Sequence, residues 1–496
     1  MRAAVAASAA SAAPVALSIA FAVAAAGLLA GCGREHAPAL RYIVRPEPDS
    51  GRVFVEAEYR TRPGRLAVFL NTMDFGGAPA SRHVTDLSVT TGDDRAVSIE
   101  RSGATWSALV PRDGRLKFRY ALDVAALANE SGAHVVSRLD TAGCLLYGGQ
   151  LFVLPEPTSD AQARASRGTG ERGAPLAVSI AVQTPPGWRV ASSWGVERTD
   201  FAFDADSLDA LADAVLAVGR YELAARRSQT FNLVVAYRGH READAESLAA
   251  LAGRLCARYE ERLGASPGSL GLVVLDPATT ADRTVRILSL ANAVVIEGDS
   301  LALDTRDPGF RHLVAHELFH WWSGTNGVLA YRDDALRAMS EGYADYASAR
   351  ALLGLGAWSV ADYAGFIEQR RAALARARDR DVALADLSWR AAEAATESAD
   401  VDLARAKAAL VAYATDRSLA AWSGGSASLA ELYRALVRRG TYRPGRVFFG
   451  RREYEAAVAE VAGTAERART LEGFEGGGLS ASLDSILAAD SLIARP

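Results

Sequence analysis

Three of the seven histidines of the chain stand four residues apart in one short segment: His312, His316 and His320. Glu317 directly follows the second of them, which makes residues 316 to 320 a His-Glu-x-x-His pattern. Residues four apart share one face of a helix, so the imidazoles of His316 and His320 can reach a single zinc ion. The adjacent carboxylate can then take a proton from water at that metal. The pattern predicts a hydrolytic metal centre.

A third protein ligand is expected, because catalytic zinc is usually held by three side chains and keeps one position open for water. Glu341 follows His320 at a distance that allows a loop and a return helix packed on the first. Asp345 lies four residues further on and shares the helix face of Glu341, where it can accept a hydrogen bond from the outer nitrogen of a ligand histidine. Glu317 is the expected general base. The predicted ligands of one zinc ion are His316, His320 and Glu341.

The remaining histidine of the segment, His312, allows two interpretations. By spacing it could be a further ligand, but a fourth protein ligand would close the position that water needs. We interpret it as a structural residue one turn below the site. A purely structural zinc ion fits poorly with only three protein ligands.

The elements that position these residues are indicated by local patterns. Asp307 can cap the histidine-bearing helix, and Pro308 suits its first position. Residues 52–60 alternate between apolar and charged side chains, as in a half-buried strand. Strand patterns of this kind run over residues 39–225, where we predict a β-sandwich domain.

Helical patterns dominate the rest of the chain, so the predicted fold class is multidomain α+β. We place a mostly helical catalytic domain at residues 226–440 and a C-terminal helical segment at residues 441–496. The chain has 496 residues, which is too long for one typical core. Its net charge is −4 with both signs mixed, which gives no indication of a nucleic-acid partner.

The first residues predict export. Arg2 precedes a long apolar run that ends in Leu-Ala-Gly-Cys, which matches the bacterial lipobox with Cys32 as the lipidated residue. We interpret residues 1–32 as a lipoprotein signal peptide; an uncleaved transmembrane anchor is the alternative. Both place the chain in the bacterial cell envelope, facing the periplasm or the exterior. An oxidising compartment would permit a disulfide between Cys144 and Cys256, which the sequence leaves open.

Two segments around the motif carry a family resemblance. Val-Ala-His-Glu-Leu-Phe-His-Trp-Trp and Ser-Glu-Gly-Tyr-Ala-Asp-Tyr-Ala-Ser, at residues 314–322 and 340–348, resemble the gluzincin metallopeptidases of the aminopeptidase N clan. The wider layout is similar to the glycyl aminopeptidase family. The resemblance covers most of residues 40–490 and is strong around 311–346. It implies a β-domain before a thermolysin-like catalytic domain, the same zinc ligands and base, and aminopeptidase action on peptides or proteins.

The sequence departs from this family at substrate-handling positions. The clan's substrate-anchoring motif before the zinc helix is missing; Asn292 lies roughly there, and Glu297 is the only carboxylate in that strand. Arg405 stands where the family usually has an oxyanion-stabilising tyrosine. Arginine could serve as the donor, Tyr413 or Tyr343 could supply a hydroxyl, or Arg405 could be a solvated helix residue. Family members usually continue into a PDZ domain, which this sequence does not include.

The sequence therefore predicts a lipid-anchored zinc metallopeptidase in which Glu317 activates water. A binding or scaffold lipoprotein with weakened catalysis is the alternative, because two substrate-handling positions depart from the family. The presence of the base argues against this alternative, since a scaffold has little need for it.

Overall fold

The structure is a computed structural model. It describes residues 40–60, 62–70, 78–111, 114–131, 136–155, 176–205, 208–227, 231–277, 285–290, 292–298, 304–324, 327–331, 333, 336–393, 399–443 and 446–490. The predicted signal segment and Cys32 lie outside these residues. Within the described part of the chain, no helix combines the length and the apolar character needed to cross a membrane.

Strands dominate the first part of the described chain because apolar and polar side chains alternate there. In residues 52–60 the inward side chains of Val53, Val55, Ala57 and Tyr59 are buried, which confirms the predicted half-buried strand. The strands are β1 (Leu40–Glu47), β2 (Arg52–Arg60), β3 (Gly64–Leu70), β4 (Val84–Thr91), β5 (Ile99–Ser102), β6 (Thr105–Val110), β7 (Arg115–Asp123), β8 (Arg138–Leu139), β9 (Gly143–Tyr147), β10 (Val153–Pro155), β11 (Leu176–Val182), β12 (Arg189–Ser192), β13 (Gly195–Val196), β14 (Asp200–Ala205) and β15 (Val215–Gly219). The helices between them are α1 (Val124–Ser131), α2 (Gly148–Leu151) and α3 (Asp209–Ala212).

Two of the sheets built from these strands share one hydrophobic core. Their strand orders are β14-β11-β1-β2-β7-β4 and β10-β3-β6-β5. The hydroxyls of Tyr42 and Tyr59 each donate to the carbonyl oxygen of Val153 at 2.6 Å, so the first sheet is tied to β10 of the second. A third sheet, β13-β12-β15-β9-β8, turns one face toward the second part of the chain.

Helices dominate the second part of the described chain. The elements are β16 (Glu222–Arg227), β17 (Asn232–Tyr237), α4 (Glu242–Leu263), β18 (Leu270–Asp276), β19 (Arg286–Leu290), β20 (Ala293–Glu297), α5 (Pro308–Phe319), β21 (Leu329–Tyr331), α6 (Arg337–Gly354), α7 (Val360–Arg376), α8 (Leu384–Glu393), α9 (Ala399–Trp422), α10 (Leu429–Arg439), β22 (Thr441–Arg443), β23 (Arg446–Phe449), α11 (Arg451–Ala462), α12 (Ala465–Gly473) and α13 (Leu479–Ala489). The mixed α+β class is therefore confirmed.

The sheet of the second part has the order β16-β17-β18-β20-β19. Strands β17, β18 and β20 run parallel, and β19 is an antiparallel edge strand. A side chain on Gly271 of β18 would collide with the ring of Trp321, so this glycine lets the chain just after α5 pack directly on the sheet. The sheet thus supports the helix that carries the histidine motif.

The two predicted domain limits within this region, after residues 225 and 440, can be compared with the strands of the structure. Residue 225 lies inside β16, which pairs along its whole length with β17, so any break in the fold would precede Glu222. The segment after residue 440 begins with β22 and β23, and β23 pairs with β21. Cys144 and Cys256 are buried as free thiols in two different cores, so they do not form a disulfide in this structure.

Candidate metal centre

The helix α5 begins as the sequence predicts. The carboxylate of Asp307 accepts a hydrogen bond from the backbone N–H of Phe310 at 2.7 Å, and Pro308 occupies the first helical turn, where its missing N–H costs nothing. Val314 and Leu318 are fully buried and fix the rotation of the helix against its neighbours. His316 and His320 consequently point to the same side, with His320 just past the last helical residue.

The helix α6 brings the third donor to these imidazoles. Glu341 and Asp345 lie one turn apart near its start, and α6 packs against both α5 and α9. Gly342 allows the close approach of α9, because a methyl group at this position would overlap Ala408. The glycine of the Glu-Gly-Tyr-Ala-Asp segment is therefore a packing requirement next to a ligand.

The donor atoms of His316, His320 and Glu341 converge on one point. The two Nε2 atoms are 3.0 Å apart, and the carboxylate oxygens of Glu341 lie 3.3 Å from Nε2 of His316 and 3.6 Å from Nε2 of His320. A tetrahedral zinc ion with bonds of about 2.0–2.1 Å places its ligand atoms about 3.3–3.4 Å from one another. The three donors fit zinc in number, in chemical type and in spacing.

Both imidazoles are oriented by their outer nitrogens. Nδ1 of His316 lies 2.8 Å from a carboxylate oxygen of Asp345, and Nδ1 of His320 donates to the carbonyl oxygen of Ser323 at 3.0 Å. Arg370 donates to the other oxygen of Asp345 at 3.1 Å. These contacts leave both Nε2 atoms for the metal, which is the usual way in which proteins fix metal-binding histidines.

The charges of the site favour cation binding. Burial alone would raise the pKa of Asp345, but the hydrogen bond and charge of His316, supported by Arg370, hold it well below its usual range. Burial alone would lower the pKa of His316, but the carboxylates of Asp345 and Glu341 raise it to about 10. The carboxylates therefore stay ionised and favour a positive charge at the point where the donors meet.

Glu317 lies beside the donors with its side chain partly exposed, and the desolvation of its carboxyl group raises the pKa of that group. A raised pKa brings a carboxylate closer to the working range of a general base. Its backbone is also held in place, because the hydroxyl of Ser289 in the edge strand β19 donates to the carbonyl oxygen of Glu317 at 3.2 Å.

His312 has a packing role in the structure. Its Nε2 lies 3.0 Å from the backbone carbonyl oxygen of Asp345, and its ring stacks on Trp358 with the ring centres 5.1 Å apart. Burial lowers the pKa of His312 to about 4, so the ring is neutral and Nε2–H is the donor to that carbonyl. The contact holds α5 against α6 at the level of Asp345.

Comparison with known proteins bears on this fold. No protein-family model and no curated protein matches the chain. Solved structures do match. An aminopeptidase N family protein from Idiomarina loihiensis aligns with a TM-score of 0.65 and 16% identity, over 80% of this chain and 69% of that one. An M1 zinc metallopeptidase from Deinococcus radiodurans aligns with a TM-score of 0.52 and 16% identity, over 90% of this chain and 95% of that one. The chain has the fold of the M1 zinc metallopeptidases.

The predicted resemblance to the aminopeptidase N clan is thus confirmed at the level of the M1 fold. A mutant of the Deinococcus radiodurans protein was solved with a bound Tyr-Ser-Ala substrate, and it aligns with a TM-score of 0.51 and 16% identity over 89% of this chain and 94% of that one. At such low identity the comparison bears on the fold, and the chemistry must be judged from the residues of this chain.

Arg405 lies at the metal centre of this M1 fold. Its guanidinium, on α9, donates to the carboxylate of Glu341 at 3.4 Å, and 47% of its side chain is exposed. Its positive charge also acts on the carboxyl group of Glu317, whose pKa it lowers against the effect of burial. The guanidinium therefore stands beside both a ligand and the expected base and remains accessible to a substrate.

The two tyrosines considered as alternative donors are occupied elsewhere. Tyr413 is fully buried, and its hydroxyl donates to Asp490 at 3.1 Å. The hydroxyl of Tyr343 is buried 3.0 Å from that of Tyr454. The proposal of Tyr413 as a catalytic residue is corrected by this geometry, because its hydroxyl belongs to the core that α9 shares with the C-terminal residues.

The two predicted substrate-binding residues join the two parts of the chain instead. The side-chain amide of Asn292 donates to the carbonyl oxygen of Ser193 at 2.8 Å. Glu297 is 1% exposed; it forms an ion pair with Arg138 and accepts a hydrogen bond from the hydroxyl of Tyr147 at 3.3 Å. The prediction of Glu297 as a substrate-binding residue is corrected, because its carboxylate is buried in an ion pair between the sheets. The role of the partly exposed Asn292 stays a prediction.

Two residues of the site have no signal in the sequence. Ser289 lies in β19, and Arg370 lies on α7, 25 residues after the carboxylate of Asp345 that it contacts. Neither belongs to a motif. For Ser289, the indication in the sequence is its place in a short strand ahead of the histidine helix, because the edge strand β19 contacts α5.

Proposed function

We propose that this chain is a zinc-dependent metallopeptidase that hydrolyses peptide bonds. The observation that carries the proposal is the convergence of the donors of His316, His320 and Glu341, with Glu317 beside them and the buried Asp345 behind His316. The M1 fold supports the proposal, because the similarity to zinc metallopeptidases extends over 80–90% of the chain and is not confined to the histidine helix.

The residues of the chain have separate tasks in this proposal. A zinc ion held by the three donors would polarise the scissile carbonyl group and lower the pKa of a water molecule. Glu317 takes the proton of the attacking water and gives it to the leaving amine, a task that suits a carboxylate whose pKa is raised by desolvation. Asp345 and the carbonyl of Ser323 keep the imidazoles oriented throughout.

Arg405 is the proposed donor to the negative charge that develops on the substrate carbonyl oxygen. Its support is the position of the guanidinium beside Glu341 together with its exposure, whereas the hydroxyls of Tyr413 and Tyr343 are engaged in the core. Removing one oxyanion donor typically lowers turnover by about a hundredfold or more. Arg405→Gln should therefore lower kcat by about a hundredfold with the fold unchanged.

The test is cleavage of a mixed peptide library by the purified, zinc-loaded chain, read by mass spectrometry. Glu317→Gln should abolish cleavage without loss of zinc. Glu368→Gln is the matched control, because it makes the same chemical change at an exposed carboxylate on α7 that pairs only with Arg371 among the described residues. Absence of cleavage by a folded, zinc-loaded chain would overturn the proposal.

The same library decides between removal of N-terminal residues and internal cleavage. The M1 fold and the name of the Idiomarina loihiensis neighbour support an aminopeptidase. The burial of Glu297 in an ion pair weighs against the capture of a free amine by that carboxylate. Cuts confined to the first peptide bond would support the aminopeptidase proposal.

We further propose that the chain is lipid-anchored in the bacterial cell envelope, with its active site facing the periplasm or the exterior. The support is the Leu-Ala-Gly-Cys sequence that ends at Cys32 after an apolar run. Incorporation of labelled palmitate into the chain, and its loss in Cys32→Ala, is the expected result. Equal labelling of both proteins would contradict the anchor.

A further inference from the structure

A cavity lies between the helices that surround the metal centre. Its volume is about 380 Å³, and its walls come from α4, α5, α6, α9 and α10. This size lies within the range of about 300–1,000 Å³ that is usual for small-molecule sites. Phe319, the neighbour of ligand His320, forms part of the wall, and so does Tyr346, which lies about 100° around α6 from Asp345. The cavity therefore opens on a different side of these helices from the metal donors.

The wall of the cavity carries an excess of positive charge. Four arginines from three helices line it, and Asp416 is the one carboxylate among the described residues of the wall; the arginines are Arg258, Arg262, Arg350 and Arg417. Guanidinium groups are permanent cations with several donors each. Four of them around one cavity, drawn from α4, α6 and α9, form a site that favours an anion.

The single carboxylate is already used by the protein. One oxygen of Asp416 accepts from the backbone N–H of Leu429 at 2.8 Å, and the other accepts from the hydroxyl of Tyr346 at 2.6 Å and from Arg417 at 3.2 Å. Arg350 lies at 3.8 Å from the same carboxylate. Among the residues that the structure describes, Nε of Arg417 is buried and has no hydrogen-bond partner. Arg258 also pairs with Glu261 at 2.6 Å, and Nη1 of Arg417 lies 3.8 Å from Asp490. The capacity left for a second acid is therefore Nε of Arg417 and the guanidinium of Arg350, whose contact with Asp416 is long.

The rest of the wall is apolar and aromatic. It includes Tyr259, Leu263, Phe319, Leu429 and Tyr433. A ligand that uses both parts needs one anionic group for the guanidiniums and an apolar body for the rings. We propose that this cavity binds an organic carboxylate with an apolar body. The proposal is independent of the peptidase activity, because none of the metal donors lines the cavity.

The probe is decanoate, and the experiment is isothermal titration calorimetry with the purified full chain. Saturable binding of one decanoate per chain is expected, with an affinity that falls as salt is added. Arg417→Gln and Arg350→Gln should each weaken binding by about tenfold, since each removes a charge-assisted hydrogen bond. Ala420→Phe, which fills the cavity from a partly exposed wall position, should abolish it.

Two controls separate this site from general adsorption. Arg254→Gln removes an exposed arginine from the same helix as Arg258 and should leave the affinity unchanged. Decanol has the same chain length without the charge and should bind at least about tenfold more weakly than decanoate. Binding that is equal for decanol, or equal in folded Arg417→Gln, Arg350→Gln and Ala420→Phe, would overturn the proposal, as would the absence of saturable binding.

Discussion

Replacement of Asp345 by asparagine is expected to weaken zinc binding without unfolding the protein. Asp345 lies 2.8 Å from Nδ1 of His316 through one oxygen and accepts from Arg370 at 3.1 Å through the other. Asparagine keeps the shape and one acceptor oxygen but loses the negative charge. The imidazole of His316 then remains in place as a less basic ligand, because its outer hydrogen bond ends on a neutral group.

The expected size of the effect follows from the position of Asp345. It contacts a ligand rather than the metal, and loss of such a contact typically costs about 10- to 100-fold in metal affinity, or about 1.4–2.8 kcal/mol. Asp345 is almost fully buried, so solvent does not screen its charge from His316. We therefore expect a result in the upper half of this range.

The assay is competition for zinc between the protein and a chromophoric chelator at constant pH, with circular dichroism as the check on folding. Glu368→Gln, an exposed carboxylate on α7, is the matched control and should leave the zinc affinity unchanged. A zinc affinity of folded Asp345→Asn within twofold of the unaltered chain would refute the reasoning, since the contact to His316 would then not support the ligand.

Three further predictions concern stability. Glu297→Gln should lower the free energy of unfolding by about 3 kcal/mol, because Arg138 loses a buried opposite charge. Glu100→Gln, in an exposed ion pair, is the control and should lower it by less than about 1 kcal/mol. Urea unfolding measures both, and equal losses would contradict the burial argument. The pKa of His312 is about 4 in the folded chain and about 6.5 when unfolded, so the unfolded state binds more protons between these values and stability falls as pH is lowered from 6.5 to 4. His312→Gln should flatten this part of the pH profile of urea unfolding, by about 3 kcal/mol in total, and an unchanged profile would exclude His312 as its source. Chelation of zinc should lower the Tm, and zinc should restore it where magnesium does not, because imidazole donors suit zinc; recovery with magnesium would argue against the site.

The metal donors could be predicted from the sequence because their geometry is local. His316 and His320 share a helix face by spacing alone, and Asp307 and Pro308 mark where that helix begins. Glu341 lies beyond a loop, so the sequence predicts its contact with the histidines only from the length of the intervening segment and from the family resemblance. The convergence of the three donors to within 3.6 Å of one another is a property of the packing of α5 on α6.

The corrected predictions concern residues whose hydrogen-bond partners lie far away in the sequence. Glu297 is the only carboxylate of its strand, which favours a binding role, but Tyr147, which contacts it, lies 150 residues earlier in the chain. Tyr413 lies on the helix that also carries Arg405, but its partner Asp490 lies 77 residues later. No local pattern encodes such pairs, because they depend on how whole sheets and helices pack.

The engagement of Glu297 leads to a prediction about substrates. Capture of a peptide's free N-terminal ammonium needs an ionised carboxylate near the scissile bond. The edge strand β19, which contacts α5, has no acidic residue, and the carboxylate of Glu297 in the adjacent β20 is buried in an ion pair. These two strands therefore offer no free carboxylate for the amine, and the nearby guanidinium of Arg405 would repel it.

N-terminal acetylation of a cleaved peptide should accordingly change kcat/KM by less than about tenfold, because no paired charge is lost. A tenfold change in kcat/KM corresponds to about 1.4 kcal/mol of transition-state stabilisation. The measurement compares each free peptide with its acetylated form at equal zinc loading. A loss of a hundredfold or more on acetylation would show that a carboxylate outside β19 and β20 binds the amine. That carboxylate would then be found by the Asp→Asn or Glu→Gln variant that equalises the two substrates, since removing the acceptor removes the preference for the free amine.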